Sequence, residues 1–177
     1  MVAKFATRQL EDTLYLKTKD IGLRIINAEN GNVLKRIINE LKENRIIFIE
    51  CDEIQEWRPS KKDRIWFLRK LIGIDRTIDV IKRRTGAEVV FGLLHRFDLK
   101  RYGLIMESYH EMFSRSGNSA ASAGEIILKY LEEYIYYYPE EWYQWKNYAD
   151  IKTPTTTSTE TKEKMPAPFA RPVFGKA

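Results

Sequence analysis

"AEVVFGLLHRFDLKRYGLIMESY", residues 87–109, decides how this chain is built. Two apolar runs, "AEVVFGLLHRF" (87–97) and "YGLIMESY" (102–109), flank the polar "DLKR". The pattern predicts two strands paired through a turn. Just upstream, residues 74–85 read as a surface helix that stops at Gly86, the residue type most often found past a helix end. Further back, "RIIFIEC" (45–51) is a continuous apolar run with three isoleucines, the pattern of a strand buried on both faces. It follows "NVLKRIINELKEN" (32–44), where Val33, Leu34, Ile37, Ile38 and Leu41 recur every three to four residues as in an amphipathic helix. "LRIINA" (23–28) reads as a short strand, residues 4–19 as a helix, and "DEIQEWRPSKKDR" (52–64) as a polar loop.

Downstream, "NSAASAGEIILKYLEEYIYYY" (118–138) reads as a long helix. Its seam is Ile127, Leu131, Tyr134 and Tyr138, at the spacing of a core-facing stripe. Pro139 suits the first position of a new helix, where its missing N–H is no loss, and Glu140 and Glu141 suit the positive end of that helix. A short helix therefore starts at Pro139, with Trp142 and Trp145 on one face. The alternation of elements predicts an α/β domain over 1–152, with a mixed, partly parallel sheet flanked by helices and closed by the aromatic C-terminal helix. The Thr/Pro-rich tail, 153–177, has nothing to bury and is expected to be disordered.

Composition sets bounds. The 177 residues are 44% hydrophobic and 31% charged, enough for one globular core, with a net charge of +5. That basicity fits an acidic partner such as lipid phosphate or nucleic acid without choosing between them. No nucleic-acid recognition motif accompanies it, so no nucleic-acid partner is expected. No run approaches a membrane span, and the first 20 residues do not read as a signal peptide. One cysteine, Cys51, excludes an internal disulfide and gives no metal-site spacing, so no metal is expected.

Candidate chemistry is sparse. Asp52 and Glu53 follow the apolar 45–51 run, where ligands of open α/β sheets gather; the competing reading is an exposed acidic loop. His95 stands near a strand end, as a base or as a structural histidine, and His110 lies in a polar connection. Basic groups cluster at Arg58, Lys61, Lys62 and Arg64, at Arg69, Lys70 and Arg76, and at Lys82, Arg83 and Arg84. Such runs are either solvated faces or phosphate-binding surface. With Trp57, Trp66 and Trp142 they also fit an interfacial protein. No Gly-rich phosphate loop or nucleophile elbow is present.

Residues from about 20 to 150 resemble the C-terminal half of the lipid A biosynthesis acyltransferases, late lauroyl/myristoyl-type enzymes of the lysophospholipid acyltransferase superfamily. Asp52-Glu53 stand at that family's Asp-Gln position, while its Phe-Phe-Gly loop is replaced by Phe67-Leu68-Arg69, a departure from the pattern. Thr85-Gly86-Ala87 match its Thr-Gly-Ala helix end, and Arg96 its strand-end arginine. Pro139-Glu140-Glu141-Trp142 with Trp145 match its closing Pro-Glu-Gln-Trp-x-Trp helix. The resemblance implies transfer of a fatty acyl chain from an acyl carrier protein or acyl-CoA thioester to a lipid acceptor. It places the protein peripherally on the cytoplasmic face of the inner membrane. It implies Asp52 and Glu53 near the site mouth, and Arg96 with Arg58, Lys61 and Lys62 as phosphate-binding candidates. The family's His-x-x-x-x-Asp/Glu pair is absent: Lys100 stands five after His95 and Arg115 five after His110. The catalytic residues are therefore unassigned in this chain, and a complementing N-terminal half is an implied partner. The alternative is a non-catalytic α/β module that binds anionic lipid or another polyanion at a membrane surface.

Overall fold

A computed structural model describes residues 1–3, 7–29, 31–54 and 62–151. The chain is mixed helix and strand. In order, the elements are β1 (Val2–Ala3), α1 (Arg8–Thr18), β2 (Ile26–Asn27), α2 (Val33–Lys42), β3 (Arg64–Phe67), β4 (Lys70–Gly73) and α3 (Thr77–Thr85). They continue with β5 (Val90–Arg96), β6 (Tyr102–Ser108), α4 (Tyr109–Ser116) and α5 (Ala123–Tyr137). Two 3-10 segments, Pro139–Glu141 and Tyr143–Asp150, close the described chain. The strands form three separate pairs: β1–β2 is parallel, while β3–β4 and β5–β6 are antiparallel. Within the span 1–152 the chain divides into two compact units. The expected disordered tail, 153–177, lies outside the described residues.

The first unit comprises Met1–Cys51 and Val80–Ala87. Thr7 caps α1, its hydroxyl accepting the Leu10 N–H. The helix is there as read, but Leu10, Tyr15 and Leu16 on it are exposed. The core is Ile26, Ile37 and Ile81, with Val2, Val33, Leu34, Leu41 and Ile47 packed against it. So the amphipathic stripe of α2 does face inward, as its spacing predicts. The buried strand read at 45–51 is not formed. Ile46 is 78% exposed, with Phe48 and Ile49 also exposed, and no strand is assigned. A doubly buried strand needs a neighbour along each edge. Here β1 offers two residues, and its Val2 N–H donates to the Phe48 carbonyl at 2.9 Å. At the other end of the unit, α3 finishes as its sequence predicts. Gly86 takes the left-handed conformation (φ 69°) that favours glycine, and its N–H closes on the Lys82 carbonyl. The Thr85 hydroxyl donates to the Ile81 carbonyl and accepts the Ala87 N–H.

The second unit comprises Asp52–Asp79 and Glu88 onward. Its axis is α5, whose seam residues Ile127, Leu131 and Tyr134 are buried, as the stripe predicts. The β5–β6 hairpin is also as read, with Leu94 opposite Leu104 and His95 opposite Gly103. Its inner face packs on α5: Phe91 meets the Tyr130 ring edge-on, and the Tyr130 hydroxyl donates to Glu107. The residues after β6, read as a connection, form α4. Ser108 and Glu111 build a reciprocal capping box at its start.

Gly124 marks the tightest approach. A Cβ there would meet the Asp75 carbonyl oxygen at 2.7 Å and Ile74 Cγ2 at 2.9 Å. A backbone oxygen cannot swing aside as a side chain can. Gly124→Ala is therefore expected to lose about 1–3 kcal/mol from overpacking, despite the better helix propensity of alanine. Urea titration reads this directly; an unchanged or raised midpoint would show that α5 has room to shift.

The β3–β4 hairpin has no counterpart in the sequence reading. Its two turn residues, Leu68 (φ 46°) and Arg69 (φ 66°), both lie in the left-handed region. That is the turn geometry that matches strand twist in a two-residue hairpin, and it normally selects Asn and Gly. Tertiary contacts hold it instead. The Glu132 carboxylate on α5 accepts the Leu68 N–H at 2.5 Å, and the Tyr148 hydroxyl donates to the Leu68 carbonyl at 2.5 Å. The Lys70 ammonium donates to the Tyr148 carbonyl and sits 4.3 Å from the Tyr148 ring centre.

Burial pushes the Glu132 carboxyl up from its ordinary 4.5, against the Leu68 hydrogen bond and the Lys129 charge. A carboxyl raised on folding favours the folded state most when protonated, and that contribution falls as pH rises through the raised value. Glu132→Gln keeps an acceptor for Leu68 and removes the charge. Its melting temperature should exceed that of the parent near neutral pH and converge with it in acid. A deficit at every pH would mean that the turn needs the negative charge.

Candidate functional site

A cluster of titratable side chains in the second unit lies where β5 meets the C-terminal 3-10 segment. His95 is the last inward-facing residue of β5, brought against α5 by strand alternation. Its Nδ1 lies 3.0 Å from the Tyr134 hydroxyl and 3.1 Å from Glu141 Oε1. The Tyr134 hydroxyl donates to Glu141 Oε2 at 2.7 Å, and the Arg96 backbone N–H donates to the same oxygen at 3.0 Å. With the tyrosine proton directed at Glu141, Nδ1 is the donor on the imidazole. Its N–H serves both the tyrosine oxygen and Oε1. Nε2 makes no hydrogen bond among the described residues.

The surroundings are aromatic. The Phe97, Tyr138 and Tyr134 rings lie 4.8, 4.4 and 6.0 Å from the imidazole. Phe97 rests where a Cβ on Gly103 would stand, 2.5 Å from the nearest ring atom. Burial works to raise the Glu141 carboxyl, but hydrogen bonds from Tyr134 and the Arg96 amide, with the His95 contact, hold it below its ordinary value. Burial first, and then the Glu141 carboxylate, push the Tyr134 hydroxyl well above the usual tyrosine range. The cluster holds an imidazole in one tautomer beside an ionised carboxylate, the arrangement that makes histidine a directed base or a fixed hydrogen-bonding post.

Glu141 belongs to the Pro139–Glu141 turn, which starts where Pro139 predicts. The next residue, Trp142, is 5% exposed and meets the Phe67 ring edge-on at 6.0 Å. Trp145 lies 4.8 Å from the Trp142 ring, is 43% exposed, and donates its Nε1–H to the Pro139 carbonyl. The single helix expected from Pro139 is not formed: the chain is extended at Trp142 (ψ 100°), between two 3-10 segments, and although the two rings meet, only Trp142 goes into the core.

Comparison with known proteins yields nothing. No family model, no curated protein and no solved structure matches this chain.

Of the residues singled out from sequence, Arg96 lies at the site through its backbone amide, with its side chain exposed. Asp52 and Glu53 are half-buried, and the segment ahead of them is not the buried strand that was to place them at a sheet end. Lys62 is exposed just before β3. Arg58 and Lys61, like Trp57, lie outside the described residues. The second basic cluster is drawn into structural contacts: Arg76 pairs with Asp63 at 3.0 Å and Lys70 is bound at Tyr148. In the third, Arg83 and Arg84 are exposed in the last turn of α3, which suits the negative end of a helix. His110 is exposed on α4, not in a loop, and the Ser108-x-x-Glu111 capping signature was the signal for that helix. The sequence reading missed Glu141 and Tyr134 as partners of His95. Among the described residues, no group of three or more His, Cys, Asp or Glu could hold a metal ion, and no helix is long and apolar enough to cross a membrane.

Proposed function

We propose that this chain is the C-terminal part of an acyltransferase of the lipid A type, moving a fatty acyl chain from an acyl carrier thioester to a lipid acceptor at a membrane surface. One observation supports this reading above the others. Two segments that carry the resemblance, far apart in sequence, meet in one place, beside the loop where the chain departs from the family's Phe-Phe-Gly. Glu141 of the Pro-Glu-Glu-Trp motif accepts the amide of Arg96, and Trp142 of the same motif packs on Phe67 of the Phe67-Leu68-Arg69 loop. Arg69 also holds φ 66° at the position where the family has glycine, so the backbone keeps a glycine-type conformation without the glycine.

On this reading the chain supplies acceptor-side structure, and a second polypeptide supplies the His-x-x-x-x-Asp/Glu pair. A mixed, partly parallel sheet flanked by helices is completed only when that half is added. The exposed 45–51 run is the segment such strands would pair with. The test is to co-express the chain with a half carrying the motif and to assay acyl transfer from an acyl carrier thioester to a lipid acceptor. Transfer that needs both halves supports the proposal. A well-folded, inactive pair sinks it and leaves the lipid-binding module as the better reading.

A further inference from the structure

The β5–β6 hairpin has a second face. Residues opposite one another across a ladder, and every second residue along it, share a side. The inward side packs on α5 through Phe91 and His95. The outward side carries Val90, Leu94, Tyr102, Leu104 and Met106, all exposed, with Leu94 at 65% directly opposite Leu104 at 62%. Only one charged residue lies on it, Arg96, at the turn end opposite Tyr102. An exposed, contiguous apolar surface of this kind marks a contact site.

The turn beyond it states what the contact is. Leu99, at the tip, is 88% exposed, and Lys100 follows it. Asp98, the carboxylate of this turn, is committed to Arg101 at 2.6 Å. The side chains of Arg96 and Lys100 have no carboxylate partner among the described residues. Two uncompensated cations and a tyrosine therefore rim one end of an apolar face. Phosphates above hydrocarbon complement that order, and tyrosine is at home at their boundary. We infer that the outward face of the β5–β6 hairpin, with its Leu99–Lys100 tip, seats this chain on a bilayer surface containing anionic phospholipid. In naming the membrane contact of the reading above, it rests on that reading; vesicle binding, measured without acyl transfer, lets each fail separately.

The test sediments the full chain with vesicles of phosphatidylcholine alone and of phosphatidylcholine mixed with phosphatidylglycerol. Binding is expected only with the anionic vesicles, weakening as salt rises. The double variant Leu94→Ser/Leu104→Ser removes two exposed apolar side chains and should weaken binding by at least about tenfold. Leu99→Ser and Lys100→Ser, at a turn tip that buries nothing, should each weaken it several-fold with unchanged circular dichroism. Equal binding by the parent and the tip variants overturns the inference, as does equal binding to neutral vesicles. So does absence of vesicle binding together with a concentration-dependent dimer that the double variant abolishes, which would assign the face to a second copy of the chain.

Discussion

Trp142→Ala is expected to lose about 3–5 kcal/mol of stability, the usual cost of emptying a buried tryptophan site. A domain held by roughly 5–15 kcal/mol would lose a large share of its margin. The ring is 5% exposed and is braced edge-on by both Phe67 and Trp145, so the cavity has aromatic walls that cannot collapse into it without moving β3. One detail refines the expectation. Among the described residues, the buried Trp142 Nε1–H has no hydrogen-bond partner. Trp142→Phe keeps most of the volume and removes that orphan donor, and should be far milder than the alanine variant. Trp145→Ala, at a half-exposed ring with one hydrogen bond to Pro139, should cost about 1 kcal/mol. Chemical denaturation of the three variants checks the order; a Trp145 variant worse than the Trp142 variant would mean the face of the closing segment has been read backwards.

Glu141→Ala is the second large effect, expected on the order of 3 kcal/mol. The variant removes the one acceptor shared by the Tyr134 hydroxyl, the Arg96 amide and the His95 Nδ1–H, and leaves His95 with its Tyr134 contact. The same carboxylate gives the loss a pH signature. A carboxyl held below its ordinary 4.5 in the folded state contributes stability that is present above that value and drains away as pH falls through the depressed one. The parent should therefore lose stability in acid more steeply than Glu141→Gln, with the two curves closing on each other at low pH. Parallel curves across the whole range would show that Glu141 acts here as a neutral acceptor. NMR of the His95 ring nitrogens is the companion measurement, because loss of the carboxylate frees the imidazole to change tautomer while a merely structural loss elsewhere leaves it fixed.

The parts of the fold that were legible share a cause. The β5–β6 hairpin, α2 and α5 each announce themselves by a local period bounded by turn residues, and local signals survive without knowledge of neighbours. The 45–51 run was misread because an apolar composition states that a strand wants two neighbours, not that it has them. The β3–β4 hairpin was missed because Leu68-Arg69 contradicts turn chemistry and is excused by distant groups, Glu132 and Tyr148. The Glu141 contact with Arg96 spans 45 positions, and no spacing rule joins a strand-end histidine to a glutamate that reads as a helix-start residue.

That excused turn also dictates when part of the molecule can be made. The groups that hold Leu68 in its left-handed conformation lie 64 and 80 positions further along the chain. A hairpin with Asn-Gly at its turn closes by itself in microseconds, but this one has no local reason to close. Its loop-closure entropy must be met by contacts that exist only once α5 and the Tyr143–Asp150 segment have docked. During synthesis, β3 and β4 are therefore expected to stay unpaired until residue 148 has emerged. Arg69→Gly relieves the turn and should advance this step, raising the folding rate more than it lowers the unfolding rate.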